Sequence, residues 1–473
     1  MLLFLLWGKV QAQVTISGKA KGYEGKELVC TRYLDYMSFE INELGRTTID
    51  KNGAFSLTVP LMHTTQVQLH IGGAQGLMYA DPFGNYFIIV NKPDSSQKNA
   101  YRQSIRIDFD TLPTYDINNL ILDFNSRHDD FLFYNFTVFG KPVFESRLDT
   151  FKIYLSKVYK NVQHPYFSDF VAYSVAETEM LGMARKDENA FIKRIYADYI
   201  FNKPVRYEND KYMNFFTKFY SDIFKMIPLS EEIDLFRAVN YYGSPKRTKA
   251  ILQKDILLRE DKIAEMALLK SLNQEYYNMD FDKQMILNML DSISNFSKHK
   301  EHQTIAANIK KRLLYLTVGS AAPPFALKNL KDSIINLSQF RGKFVYLMFW
   351  QTDNTASINE LKIMKSLYDT YKWDIEFVSV CVGEDVSKMK AFLKKNNYAW
   401  TFLHDGADPS IRQRYNAQTL PQYYLIDPEG IFVQAPALRP SPNGTMKSIH
   451  LTFEKIHQKL HPVKKTIPGQ KDN

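Results

Sequence analysis

At 473 residues the chain is longer than one hydrophobic core ordinarily supports, and it implies two to four domains, of which we expect three. Apolar residues at 45% and charged residues at 23% are the proportions of a folded protein and exclude long disordered stretches. The net charge of +9 is dispersed, with 60 Lys and Arg interspersed among 51 Asp and Glu and no recognition motif beside them, so no nucleic-acid partner is expected.

The chain opens on a short apolar run, Met1-Leu-Leu-Phe-Leu-Leu-Trp7, followed by Val10-Gln-Ala12, compact residues of the kind a signal peptidase reads. Residues 1–12 are therefore expected to be a truncated signal peptide cut after Ala12. The basic segment that normally precedes such a core is absent, and a first β-strand is the alternative. An exported protein of the periplasm or cell envelope follows from the first reading. No other stretch approaches the roughly 20 apolar residues that span a bilayer, so the mature chain should not be membrane-spanning.

From 13 to 108 short runs alternate apolar and polar residues, as in Val14-Thr-Ile-Ser, Leu28-Val-Cys-Thr, Phe55-Ser-Leu-Thr-Val and Val67-Gln-Leu-His-Ile. Turn signals separate them. Asp50-Lys-Asn-Gly53 reads as a hairpin, because Asn and Gly accept positive φ, and Asp81-Pro-Phe-Gly-Asn85 separates two further strands. A compact β-sandwich is expected. From 109 to 315 the period becomes helical, beginning with Ile117, Leu120, Ile121 and Phe124 on one face. Six to eight helices are expected, one starting at Ser244-Pro245 and running without strong breakers to about Tyr276. No metal or acid–base pair stands out there, and Arg127-His-Asp-Asp130 reads as a polar helix face.

From 316 to 462 strands and helices alternate, implying a mixed sheet flanked by helices. The basic run Lys388 to Lys395 is interrupted by Met389, Phe392 and Leu393 at helical spacing, which describes an amphipathic helix with a solvated outer face. Residues 463–473 form a soluble tail, with Lys464-Lys465 near its start. Several motifs follow in order: Val318-Gly-Ser-Ala-Ala-Pro-Pro-Phe325, Ile335-Asn-Leu-Ser338, Arg341-Gly-Lys-Phe-Val-Tyr-Leu-Met-Phe-Trp350, Ile375-Glu-Phe-Val-Ser-Val-Cys-Val382 and Thr419-Leu-Pro421-Gln-Tyr-Tyr-Leu-Ile-Asp427-Pro-Glu-Gly430. Together they closely resemble the periplasmic thioredoxin-like disulfide reductases of the TlpA and ResA type. The resemblance implies a thioredoxin-like fold over about 140 residues. It also implies that the peptide bond Leu420-Pro421 is cis and faces the start of a helix, with the backbone of Leu420 available to an extended peptide.

In that family a Cys-x-x-Cys pair opens the helix after the Phe-Trp strand. A helix N-terminus stabilises a thiolate, and a second cysteine one turn on resolves the mixed disulfide. Here Asn354 and Ser357 stand at those positions, and neither forms a disulfide. Ser357-Ile-Asn-Glu360 fits a capping box, with Asp353 and Asn354 as other possible caps. The helix it opens carries Leu361, Met364, Tyr368 and Tyr371 on one face.

The chain's two cysteines, Cys30 and Cys381, lie in predicted strands and read as buried thiols rather than as a disulfide between domains. Trp350 is expected to pack at the end of its strand. The whole reading is a multidomain α+β protein: β-sandwich, helical middle domain and C-terminal thioredoxin-like domain. No catalytic residue, metal or cofactor is expected. The partner would be a polypeptide or envelope protein, held in a groove around Trp350, Asn354, Ser357, Leu420 and Pro421. The alternative is a thiol-disulfide oxidoreductase, or a peroxide-handling relative, working through Cys381 or Cys30.

Overall fold

The structure, a computed structural model, describes residues 12–462 apart from 72–73, 92–102, 183–187, 277, 279, 384–385, 408–410, 418–419 and 443–447. The expected signal peptide, except Ala12, and the expected tail lie outside the described residues, as does Thr419 of the proline motif. The chain divides at Leu313/Leu314 into two compact units.

The first unit opens with strands β1 (Gln13–Lys19), β2 (Glu27–Tyr33), β3 (Ile41–Thr48), β4 (Ala54–Pro60), β5 (Thr65–Ile71), β6 (Ala74–Ala80), β7 (Asn85–Asn91), β8 (Gln103–Ser104) and β9 (Arg106–Phe109). They form two sheets, ordered β4-β1-β7-β9 and β3-β2-β5-β6-β8. The alternation seen in the sequence sends Val14, Ile16, Leu57, Val59, Val67 and Leu69 into one shared core, which makes the pair a sandwich. The Asp50–Gly53 turn forms as expected, with Gly53 at φ 77° and the Asp50 carboxylate accepting from the amides of Asn52 and Ala54 at 2.8 Å. It does not close a hairpin, however. β3 pairs with β2 and β4 with β1, so the turn carries the chain from one sheet to the other.

Among the described residues ten helices follow, rather than six to eight: α1 (Ile117–Asn135), α2 (Pro142–Val158), α3 (Pro165–Gly182), α4 (Glu188–Tyr199), α5 (Asp210–Phe219), α6 (Leu229–Asn240), α7 (Pro245–Leu252), α8 (Asp261–Glu275), α9 (Lys283–Phe296) and α10 (Lys300–Leu314). The excess arises because polar residues interrupt segments whose apolar period is continuous. The run expected from Ser244 to Tyr276 starts as predicted, with the Ser244 hydroxyl capping α7, but it breaks at Gln253–Glu260. There the Asp255 side chain accepts from the Leu257 amide and turns the chain before α8. Ile117, Leu120, Ile121 and Phe124 of α1 are buried together, with the Asp116 carboxylate as cap.

The second unit contains β10 (Ala326–Asn329), β11 (Ile334–Asn336), β12 (Phe344–Trp350), α11 (Thr355–Tyr371), β13 (Ile375–Cys381), α12 (Val386–Asn396), β14 (Thr401–His404), α13 (Ile411–Arg414), β15 (Gln422–Ile426), β16 (Phe432–Gln434) and α14 (His450–Leu460). One sheet runs β11-β10-β14-β13-β12-β15-β16, parallel through β12, β13 and β14 and antiparallel outside them. The central strands are apolar on both faces and separate two cores. One holds Met348, Trp350, Leu361, Met364, Met389 and Phe453; the other holds Leu347, Phe349, Val378, Val380 and Tyr424. The basic run falls on α12, with Met389 and Leu393 buried, as its spacing implied. This is a thioredoxin-like fold.

Candidate functional site at the start of α11

A parallel strand delivers its C-terminal end to the N-terminus of the next helix, and in open α/β sheets that is where ligands bind. Strand β12 ends at Trp350, four residues turn the chain, and α11 begins at Thr355. Asn354 is the cap. Its side-chain oxygen accepts from the Ser357 amide at 2.8 Å, and its carbonyl accepts from the Ile358 amide at 3.1 Å. The Asn354 amide nitrogen points the other way, 3.5 Å from the carbonyl of Leu420. The Leu420–Pro421 bond is cis, so the helix start and the cis-proline strand face each other across one polar contact.

The capping box expected at Ser357 is not formed. Ser357 lies inside the first turn, wholly buried, and its hydroxyl has no hydrogen-bond partner among the described residues. Glu360 is buried too, and it does not reach back to the cap. Its carboxylate accepts from the amide of Ser441 at 3.0 Å and from the Ser441 hydroxyl, so it fastens the segment before α14. An Asn one turn earlier supplies the cap and leaves both box residues inside the fold.

Of the five groove residues read from the sequence, the structure brings Asn354, Leu420 and Pro421 together as half-buried neighbours. Trp350 and Ser357 sit beneath them in the core. The Trp350 ring packs on Phe392 and Phe402, with centroids 5.5 and 5.8 Å away, and its indole nitrogen has no partner among the described residues. Neither of these two residues reaches the surface.

Neither cysteine is in a disulfide, and both are buried. Cys30, in β2, has its thiol pushed up to about 12 by burial, which leaves no thiolate at neutral pH. Cys381 ends β13, in register with Trp350 on one side and His404 on the other. His404 escaped the reading of the sequence, where it is a lone histidine closing an apolar strand. It is buried, neither ring nitrogen has a partner among the described residues, and burial holds its pKa below the usual imidazole range. A neutral imidazole supplies no positive charge to stabilise a thiolate.

Within the first unit, Glu265, His299 and His302 have donor atoms close enough to hold a metal. The sequence spacing did not reveal them, because α8, α10 and the residue just before α10 bring them together. The Lys249 ammonium lies 3.1 Å from Glu265, and both ring nitrogens of His302 are engaged, by Glu265 at 3.0 Å and by Tyr207 at 2.7 Å. A cation already neutralises that carboxylate, so the cluster is a buried salt-bridge network.

Residues 318–435 match the AhpC/TSA family. The thiol-disulfide oxidoreductase ResA of Geobacillus kaustophilus is 34% identical over 128 residues, which is 27% of this chain and 73% of that protein. The ResA of Geobacillus thermodenitrificans is 32% identical over 162 residues, 34% of this chain and 86% of that one. Among solved structures, the thioredoxin domain of a thiol-disulfide oxidoreductase of Bacteroides vulgatus aligns with a TM-score of 0.26 at 24% identity, over 29% of this chain and 96% of that chain.

Proposed function

The chain belongs, through its C-terminal domain, to the family of the ResA thiol-disulfide oxidoreductases, and from that premise we propose that this domain binds extended polypeptide without exchanging disulfides. One observation carries the reading. The turn that would present the reactive thiols holds an asparagine cap and a buried serine, and the chain's two cysteines are buried in strands. The geometry beside it is kept: a helix N-terminus against the cis-proline segment that precedes β15, where an extended peptide can lie against the backbone of Leu420. In this proposal the chain is exported to the cell envelope, and its β-sandwich and helical domain are the scaffold that carries the binding domain. Among the described residues, no helix is long and apolar enough to cross a membrane.

The test pairs two measurements on the wild-type chain. Insulin reduction with dithiothreitol should not exceed the uncatalysed rate. A fluorescent, cysteine-free extended peptide should bind, and Asn354→Trp, which fills the space facing Leu420, should abolish the binding. Peptide binding unchanged by Asn354→Trp, or no binding at all, removes the groove from the proposal.

A second reading, catalysis through Cys381, is favoured by its register pairing with His404 at the end of the sheet where the family acts. Burial of both groups opposes it. Iodoacetamide should label Cys381 only on unfolding. Rapid labelling of the native chain, with reductase activity lost in Cys381→Ser, would reverse the order of the two readings.

A further inference from the structure

His457 lies in the last turn of α14 and His461 caps its C-terminus, and the two rings lie side by side with centroids 4.7 Å apart. Both turn to one carboxylate. His457 Nδ1 lies 2.6 Å from one oxygen of Asp374 and His461 Nε2 lies 2.8 Å from the other. Asp374 is held in the tight turn from α11 into β13, where its amide bonds the Tyr371 carbonyl at 3.0 Å, and it is 8% exposed. The two imidazoles are about half exposed, with side-chain exposures of 52% and 58%. One ligand atom from each residue lies within 4.8 Å of the others.

We infer that Asp374, His457 and His461 form a binding site for a divalent transition-metal cation of the zinc type. Two imidazole nitrogens and one carboxylate oxygen are borderline ligands that such ions prefer, and three protein ligands leave a fourth position for water. At metal–ligand distances of about 2.0–2.1 Å, tetrahedral ligand atoms stand about 3.3 Å apart, somewhat wider than the present contacts. The exposed imidazoles can open by that amount while the buried carboxylate stays fixed. The contrast with the Glu265 cluster is chemical: no Lys or Arg among the described residues pairs with Asp374, so the carboxylate's charge remains for a cation. The neighbouring Tyr371 ring walls one side, its centroid 6.3 Å from that of His457, and its hydroxyl is taken by His450 at 3.2 Å.

The site is remote from Asn354. The 17 residues of α11 put it about 25 Å away, at the opposite end of the sheet. A bound ion there ties the last helix to the α11–β13 turn and touches no part of the peptide groove.

The experiment is a zinc titration of the untagged full chain by calorimetry, with cobalt(II) absorption as a second readout. One zinc per chain should bind, cobalt should give the intense visible bands of a tetrahedral site, and zinc should raise the melting temperature. Asp374→Asn should weaken binding by about tenfold or more. His457→Ala combined with His461→Ala, both at exposed positions, should fold as the wild type does and lose the binding and the thermal shift, while His299→Ala should keep both. Absence of stoichiometric zinc binding, or binding that survives the double replacement, overturns the assignment.

Discussion

Placing two cysteines at the start of α11 should give that turn a disulfide-forming pair, because the surrounding fold is of the thioredoxin type. Asn354→Cys removes the side-chain cap of α11, which costs about 1 kcal/mol. Its contact with the Leu420 carbonyl, at 3.5 Å, is too long to add much. Ser357→Cys works in the opposite direction. The Ser357 hydroxyl is wholly buried with no partner among the described residues, a condition that carries a desolvation penalty of roughly 1–3 kcal/mol, and a thiol is far less polar. The two effects largely cancel. For a domain of this size, where about 1 kcal/mol moves the midpoint by roughly 2–4 °C, the double variant should melt within a few degrees of the wild type. The half-exposed thiol at the cap, lowered by the helix N-terminus, is the attacking one, and the buried thiol one turn on is the resolving one. The assay is insulin reduction beside mass spectrometry of the oxidised chain, which should show one disulfide joining the two new thiols. A variant with wild-type melting and no such disulfide refutes the placement of the family's redox positions here.

Ser357→Ala alone should be neutral or stabilising by about 1 kcal/mol in urea unfolding, whereas the capping box read from the sequence requires a loss of similar size. Glu360→Ala should cost about 2 kcal/mol, since it strips the buried carboxylate from the Ser441 amide and hydroxyl; an unchanged midpoint would show that this fastening contributes nothing. Gly18→Ala should destabilise the first unit by about 3 kcal/mol or more, because a Cβ at Gly18 would lie 1.8 Å from the Ile88 carbonyl oxygen of the adjacent strand; circular dichroism melting checks it. Acid should weaken the helical region in two stages. His302, kept neutral by burial below its usual pKa of 6.5, must charge on unfolding, so its contribution fades as pH falls below that value. Glu265 is pushed up by burial, but the hydrogen bonds from His302, Ser297 and Lys249 outweigh this and hold it at about 2, so its contribution is present above 4.5 and lost between 4.5 and about 2. Glu265→Gln should flatten the lower limb of a pH–stability curve, and an unchanged slope would remove Glu265 from the account.

Periodicity and motif order determined the element types and the thioredoxin-like fold, because a face of Ile117, Leu120, Ile121 and Phe124 or an alternation such as Val14, Ile16 can satisfy burial in only one local geometry. The absence of cysteine beside Trp350 is equally a property of the sequence alone. Which sheet each strand joins was decided by the tertiary structure, since the Asp50–Gly53 turn has the same local chemistry whether it closes a hairpin or crosses a sandwich. The cap was decided there too. Asn354 and Ser357 are both good N-caps by residue type, and only the depth at which Ser357 is buried and the pull of Ser441 on Glu360 separate them. Asp374 stands 83 and 87 residues from its two histidines, and Glu265 37 from His302. Such clusters leave no trace in spacing, because packing of distant segments, and no local rule, sets the distance between their side chains.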